Sequence, residues 1–301
     1  MIESPAYDEL PPRSYPDTSP PKQLAIEKLA TEQVKRVGLI GFGAIGSSIA
    51  RLWATLPTDS FLLAGIYARS WQAAKVHGAF PTDTQLCTDV AQLLALRPEY
   101  LIEAAGHEVI QAHGTTILRS GCSLYLLSIG SLAEEELRNS LLLAAKEGGS
   151  QILVPAGALA GFDGLLALVG DGLRSVKYTS RKPCVAWRGT VASESYDLDK
   201  LREATVIFHG SAGEAARLYP KNANLAAAVA LAGLGFDRTL VELIADPNAR
   251  GNIGSVQAVS RSSMLEVSVS SRASSNPKTS ANVGASVISA LRNGAASLRF
   301  V

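Results

Sequence analysis

Residues 37–46 constrain this chain more than any other stretch. Val37-Gly38-Leu39-Ile40 is a short apolar run of the kind that fills a buried parallel strand, and Gly41-Phe42-Gly43-Ala44-Ile45-Gly46 follows it without a break. From Ser47 to Leu56 the apolar Ile49, Ala50, Leu52 and Trp53 fall at helical spacing, and Pro57 stands just past the expected end. Glycines at G-x-G-x-x-G spacing carry little weight alone in a chain with 26 of them. Between a buried strand and a helix they mark a dinucleotide-binding turn. Gly41 then permits the tight bend, Gly43 the close approach of a pyrophosphate, and Gly46 the packing of helix on strand. The N–H groups of the helix start, at Ala44 and Ile45, face the phosphates.

The pattern repeats downstream. Phe61 to Tyr67, Tyr100 to Ala105, Ser123 to Ser128 and Gln151 to Pro155 read as further buried strands, with helical stretches over 89–96, 108–119 and 133–147. Strand alternating with helix at this rhythm predicts right-handed crossovers and a doubly wound, Rossmann-type parallel sheet over 34–155. From 156 to 278 the texture changes. Strands are expected at 176–180, 205–208, 239–244, 255–260 and 264–270, and in the last of these Leu265, Val267 and Val269 alternate with polar residues. This predicts an α+β second domain with a mixed or antiparallel sheet open on one face. Asn224 to Leu234 reads as a buried alanine-rich helix, and Thr279 to Asn293 as a final helix packing back, with the rest of 279–301, onto the first domain.

Residues 1–33 read as a disordered arm, because six of the first 22 residues are proline among acids and hydroxyls. Its acidic residues fit neither a secretory signal nor a mitochondrial presequence, so a cytoplasmic protein is expected. A formal net charge of +1 gives no field for nucleic acid, and no apolar run approaches the ~20 residues of a membrane span. Three scattered cysteines and four scattered histidines predict neither a disulfide framework nor a metal site.

An NAD-selective turn places Asp or Glu about 20 residues beyond the glycines. Here that position reads Ile66-Tyr67-Ala68-Arg69-Ser70. Arg69 and Ser70 suit a 2′-phosphate, which favours NADP; stacking of Arg69 on adenine would serve NADP or NAD alike.

Beyond the turn, the chain resembles the L-aspartate dehydrogenase family. The likeness is carried by Gly38 to Gly46, Glu103-Ala104-Ala105-Gly106-His107, Pro155-Ala156-Gly157-Ala158 and Arg181-Lys182-Pro183. Tyr219-Pro220-Lys221-Asn222-Ala223-Asn224, Asp246-Pro247 and Asn276-Pro277-Lys278-Thr279-Ser280 continue it. The resemblance implies NAD(P)-dependent oxidation of L-aspartate to iminosuccinate, which yields oxaloacetate and ammonia. It implies that Ala158 and Asn224 contact the cofactor, although Asn224 would also serve as a helix N-cap. A dicarboxylic amino acid or imine needs cations, and Arg181, Lys182, Lys221 and Lys278 are the candidates, with Asn222 and Thr279 beside them. Thr279 and Ser280 are expected to cap the last helix and present N–H groups to an anion.

One position departs from the family pattern. The resemblance implies a catalytic histidine eight residues after Asp246, and Gly254 stands there. Three explanations are open: Lys221, Lys278 or His209 relays the proton; the substrate is a preformed imine or another amino acid; or the chain binds NAD(P) without turnover. His107, at the end of a predicted strand, suits a site residue and a helix start equally. The half-open second sheet predicts a homo-oligomer, most simply a dimer.

Overall fold

The computed structural model describes residues 34–56, 60–68, 81, 83–274, 276 and 278–300. The expected arm at 1–33 and the pair Arg69 and Ser70 lie outside them. The first sheet is parallel throughout, with strands β1 (Lys35–Ile40), β2 (Phe61–Tyr67), β3 (Gln85–Cys87), β4 (Tyr100–Glu103), β5 (Ser123–Leu126) and β6 (Ile152–Leu153). Their order is β3-β2-β1-β4-β5-β6, which places the start of the chain's winding, and the β1 turn, at the centre. Successive side chains leave a strand on opposite faces, so both faces of this sheet need covering. Val37 and Leu39 of β1 pack with Ile49 and Trp53 of helix α1 (Ala44–Trp53). Ile40 and Leu101 pack on the other face with α2 (Val90–Ala95), α3 (His107–Arg119) and α4 (Glu135–Gly148). The edge strand β3 was not among the expected strands, and β6 is shorter than expected. Two or three residues at a sheet edge carry too few alternations to register as a period.

The second sheet contains β7 (Ser175–Lys182), β8 (Thr205–Ser211), β9 (Thr239–Ala245), β10 (Asn252–Val259) and β11 (Met264–Ser271) in the order β11-β10-β7-β9-β8. It is mixed: β7 and β9 are parallel, and the remaining pairs antiparallel. Between β6 and β9 the chain adds helices α5 (Phe162–Gly170), α6 (Ala192–Ser195), α7 (Ala212–Leu218) and α8 (Asn224–Ala232). The inner sheet face, with Val176, Tyr178, Val241, Leu243 and Val256, is covered by Leu165 of α5, the alanines of α7, and Ala226, Val229 and Ala230 of α8. Small side chains let α8 approach closely, which explains its alanine-rich sequence. Among the described residues nothing packs on the outer face, where Leu240, Val259 and Met264 are exposed.

The last helix, α9 (Val283–Ala295), returns to the first sheet and buries Val287, Ile288 and Leu291 against the β1–α1 core. Its approach to α1 needs Gly284, where a Cβ would lie 2.7 Å from Ser48 Oγ. No helix among the described residues is long and apolar enough to cross a membrane.

Candidate active site

The turn after β1 divides its labour among three glycines. Gly41 has φ +94°, donates its N–H to the Tyr67 carbonyl at 2.8 Å, and would drive a Cβ to within 2.5 Å of the Ala104 carbonyl oxygen. At Gly46 a Cβ would lie 2.1 Å from the Gly41 carbonyl oxygen, so the helix can start here only without a side chain. Gly43, the N-cap of α1, differs: an added Cβ would meet nothing within 4 Å. No side chain caps this helix. Its first N–H groups, at Ala44 and Ile45, therefore remain for an anion, in a space that Gly43 keeps open. These features fit the pyrophosphate of a dinucleotide.

Two further contacts hold the loops beside that space. Glu103, at the end of β4, is fully buried and accepts from the N–H groups of Ala105 (2.8 Å) and Gly106 (2.7 Å) and from the Ser128 N–H and Oγ (both 2.9 Å). One carboxylate thus ties the loop after β4 to the loop after β5. Asn224 Oδ1 accepts the Gly130 N–H at 2.9 Å, across 94 residues of sequence. This overturns the N-cap reading of Asn224: it is the first residue inside α8, its N-cap neighbour is Ala223, and its carbonyl is spent on the other half of the molecule. Gly130 fits this contact closely: a Cβ there would sit 3.1 Å from Asn224 Oδ1 and 3.0 Å from His107 Cε1, tight enough to push one of them aside. His107 begins α3 behind the same contact, and its Nε2 is buried without a partner among the described residues. It does not line the cleft.

That cleft, about 720 Å³ including its open mouth, is walled by both halves of the chain. The first half gives Ile45, Leu127, Ile129 and Pro155, and α9 gives Val283. Gly157 and Ala158 follow, and the second half gives Lys182, Lys221, Asn222, Asn224, Gly254, Lys278 and Thr279. Strand alternation decides which residues of β7 reach it. Tyr178, Ser180 and Lys182 are buried on the inner face. Arg181 points the opposite way, with 45% of its side chain exposed and its guanidinium 3.6 Å from Asp246. The expected role of Arg181 as a substrate cation is therefore corrected: it is one residue out of phase with the cleft. His209 is likewise exposed on β8 and away from the lining, which removes it as a proton relay.

Gly254 pairs with Ser180 across β10 and β7, and a Cβ there would lie 3.4 Å from Tyr178 Oη. Burial pushes the Tyr178 hydroxyl up to about 12, although a hydrogen bond with Ser180 opposes the shift. Burial also brings Lys182 down to about 8, with the nearby Lys278 charge adding to the effect. Its Nζ donates to the Lys278 carbonyl at 3.1 Å and stands 5.5 Å from the Trp187 ring centroid. Among the described residues no Asp, Glu or His lines the cleft, against three lysines.

Two wall residues have unused acceptors. Asn222 Nδ2 donates to the Ala186 carbonyl at 3.3 Å, and Asn252 Nδ2 to Ser280 Oγ at 3.3 Å; the buried Oδ1 of each has no partner among the described residues. A carbonyl can only accept, which settles the Asn222 amide with its oxygen unpaired. Sequence reasoning placed Asn222 in the site but missed Asn252, Tyr178 and Ser180, which only the β7–β10 pairing brings there. The expected cap of the last helix is also corrected. That helix begins at Val283 with Asn282 as its N-cap and no side-chain cap. Thr279 instead closes a turn through its N–H to the Asn276 carbonyl, and Ser280 bridges to Ala273.

Comparison with known proteins gives a consistent picture. Residues 163–294 match the family model described as aspartate dehydrogenase, C-terminal, and residues 41–155 match the NAD binding domain of homoserine dehydrogenase. The chain is 41% identical over 258 residues to L-aspartate dehydrogenase 2 of Bordetella bronchiseptica, covering 85% of this chain and 96% of that one. It is 47% identical over 200 residues to L-aspartate dehydrogenase of Pseudomonas aeruginosa, covering 66% and 75%. The crystal structure of aspartate dehydrogenase from Thermotoga maritima superposes with TM-score 0.68 at 24% identity, covering 89% of this chain and 100% of that one; this likeness is one of fold.

Proposed function

The chain belongs to the L-aspartate dehydrogenase family, and on that premise we propose that its lysine-lined cleft binds L-aspartate beside the dinucleotide turn. It is an NAD(P)-dependent amino-acid dehydrogenase that acts on a small amino-acid substrate. The observation that carries the site reading is a cleft with three lysines and no acid, opening next to Ile45 and Ala158. A dicarboxylate brings two negative charges to this wall, where Lys221 and Lys278 would meet them as point charges.

The coenzyme, when bound, supplies the hydride acceptor. Gly41, Gly43, Ala44, Ile45 and Gly46 would hold its pyrophosphate, and Arg69 and Ser70 would decide between NADP and NAD. Asn224, fixed by Gly130, leaves its NH₂ for the nicotinamide end, and Ala158 offers a close-fitting wall. The unpaired oxygens of Asn222 and Asn252 suit the substrate's amino group, because a buried acceptor left unmade costs about 1–3 kcal/mol. Held this way, the Cα–H bond can be aimed at the ring, and orientation is most of what hydride transfer requires.

Steady-state kinetics with L-aspartate and L-alanine test the reading. Loss of the second carboxylate should lower kcat/KM by about 100-fold or more, a difference of roughly 3 kcal/mol. Equal turnover of the two amino acids would contradict it. The exposed Leu240, Val259 and Met264 leave apolar area on the outer sheet face, which supports a homodimer, and the acidic, proline-rich start of the chain, unlike a secretory signal or presequence, supports a cytoplasmic place for it.

A further inference from the structure

Few groups in the cleft can exchange a proton. Among the described residues that line it, only Tyr178, Lys182, Lys221 and Lys278 titrate. Burial keeps Tyr178 protonated until about pH 12, out of play under mildly alkaline conditions. The three lysines differ in setting. Lys221 is exposed and Lys278 half-buried, whereas Lys182 retains 8% of its surface. No carboxylate among the described residues lies within ion-pair distance of Lys182 Nζ, whose hydrogen bond goes to a neutral carbonyl.

The charged groups around it are unfavourable to its cation. Lys278, from the segment before α9, opposes its charge, and Lys221, from the loop before α8, is a further cation on the cleft wall. Tyr178 lies on the same strand face and is neutral. Asp246 donates its backbone N–H to the Lys182 carbonyl at 2.9 Å, but its carboxylate is engaged by the Arg181 guanidinium at 3.6 Å and the Asn248 N–H at 2.8 Å. A lysine serving only as a carboxylate anchor gains nothing from such a place, because burial among cations weakens the charge it would use.

We infer that Lys182 is the acid–base residue of this cleft, carrying the proton between water and the departing nitrogen. The inference rests on the aspartate reading above. After hydride loss the substrate is an iminium. Neutral Nζ takes a proton from water as the water oxygen bonds to the iminium carbon and the C=N π pair moves to nitrogen. The ammonium so formed returns that proton to the nitrogen. Nζ then removes the remaining hydroxyl proton as the C–N bond breaks, leaving a ketone and ammonia, and the last proton passes to ammonia or solvent. A group that ionises near pH 8 can do both halves of this exchange, as the burial of Lys182 provides.

Two measurements test this. Lys182→Arg keeps the charge but cannot lose a proton in the working range, and should reduce kcat by about 100-fold or more while coenzyme binding is unchanged. The wild-type kcat for deamination should rise with pH through a midpoint near 8 that the variant lacks. A variant within about threefold of wild type, with the same pH profile, would overturn the inference. Independently of turnover, the ¹³Cε signal of Lys182, assigned by its absence in Lys182→Arg, should titrate near 8 in the full chain. A midpoint above about 10, the ordinary lysine value, would equally overturn it. Absence of aspartate turnover in the wild type, with the low titration intact, would instead count against the aspartate reading.

Discussion

At Gly43 an added side chain has only the coenzyme to collide with, and at Gly46 it collides with the protein itself. Gly43→Val should therefore leave the melting temperature nearly unchanged and weaken NADH or NADPH binding by at least about tenfold, or 1.4 kcal/mol. Gly46→Val should instead destabilise the fold by about 1–3 kcal/mol or more, visible by thermal denaturation without any ligand. Equal effects of the two on stability would contradict the assigned roles. Asn222→Leu removes the unpaired acceptor from the wall. It should raise KM for aspartate by about 10-fold, whereas the Ki of succinate, which has no nitrogen, should change by less than about twofold. Arg181→Ala, on the outer face, should leave kcat/KM unaltered and cost no more than about 1 kcal/mol of stability. Part of this was legible in the sequence: spacing marked the three glycines, and the family-like blocks marked Lys182, Lys221, Lys278, Asn222 and Asn224, all of which line the cleft. The one-residue phase of β7, which turns Lys182 inward and Arg181 outward, was not. Adjacent basic residues look alike until the strand register is known.

Among the elements, the α/β alternation of the first half was readable because each strand is a continuous apolar run and each helix has an amphipathic stripe. The shorter pieces were not. Helix α7 carries its own start signal, Ser211-Ala212-Gly213-Glu214, in which Ser211 and Glu214 cap each other reciprocally. That S-x-x-E spacing is present in the sequence, but the helix it starts is only seven residues long, too short for a clear helical period. Ser211→Ala should cost about 1 kcal/mol and lower the melting temperature without altering the coenzyme's Kd. Helix α5 gives no such cue, being apolar on most sides. The start of α9 was misplaced for a physical reason: Thr279 and Ser280 have the side chains of a cap, but a turn and a bridge to Ala273 employ them before the helix begins.

For the molecule as a whole, the cleft works at the expense of stability. Folding takes Lys182 from an ordinary pKa of 10.5 down to about 8, so below 8 the folded state bears the full cost of burying its charge. Between 8 and 10.5 the unfolded chain holds the extra proton, and stability rises with pH. The cost at neutral pH is on the order of 3 kcal/mol. Lys182→Met should accordingly melt higher than wild type at pH 7, by a margin that shrinks as pH rises towards 10.5, while losing activity. A lower melting temperature at pH 7 would show that the ammonium is stabilised by contacts stronger than its carbonyl and ring neighbours. That the second half faces the dinucleotide turn across a cleft was expected from the sequence; the Asn224–Gly130 contact that locks the halves was not, because it depends on pairing distant segments. All of this presupposes that the turn at Gly41 holds a pyridine dinucleotide with its ring facing the lysines. The most direct test is to mix purified chain with L-aspartate and NAD⁺ or NADP⁺ at alkaline pH and follow reduced-nicotinamide absorbance. Aspartate-dependent reduction of at least one coenzyme, with the apparent KM for that coenzyme raised at least about tenfold by Gly43→Val, is the expected result; no reduction of either coenzyme at any pH would contradict the account.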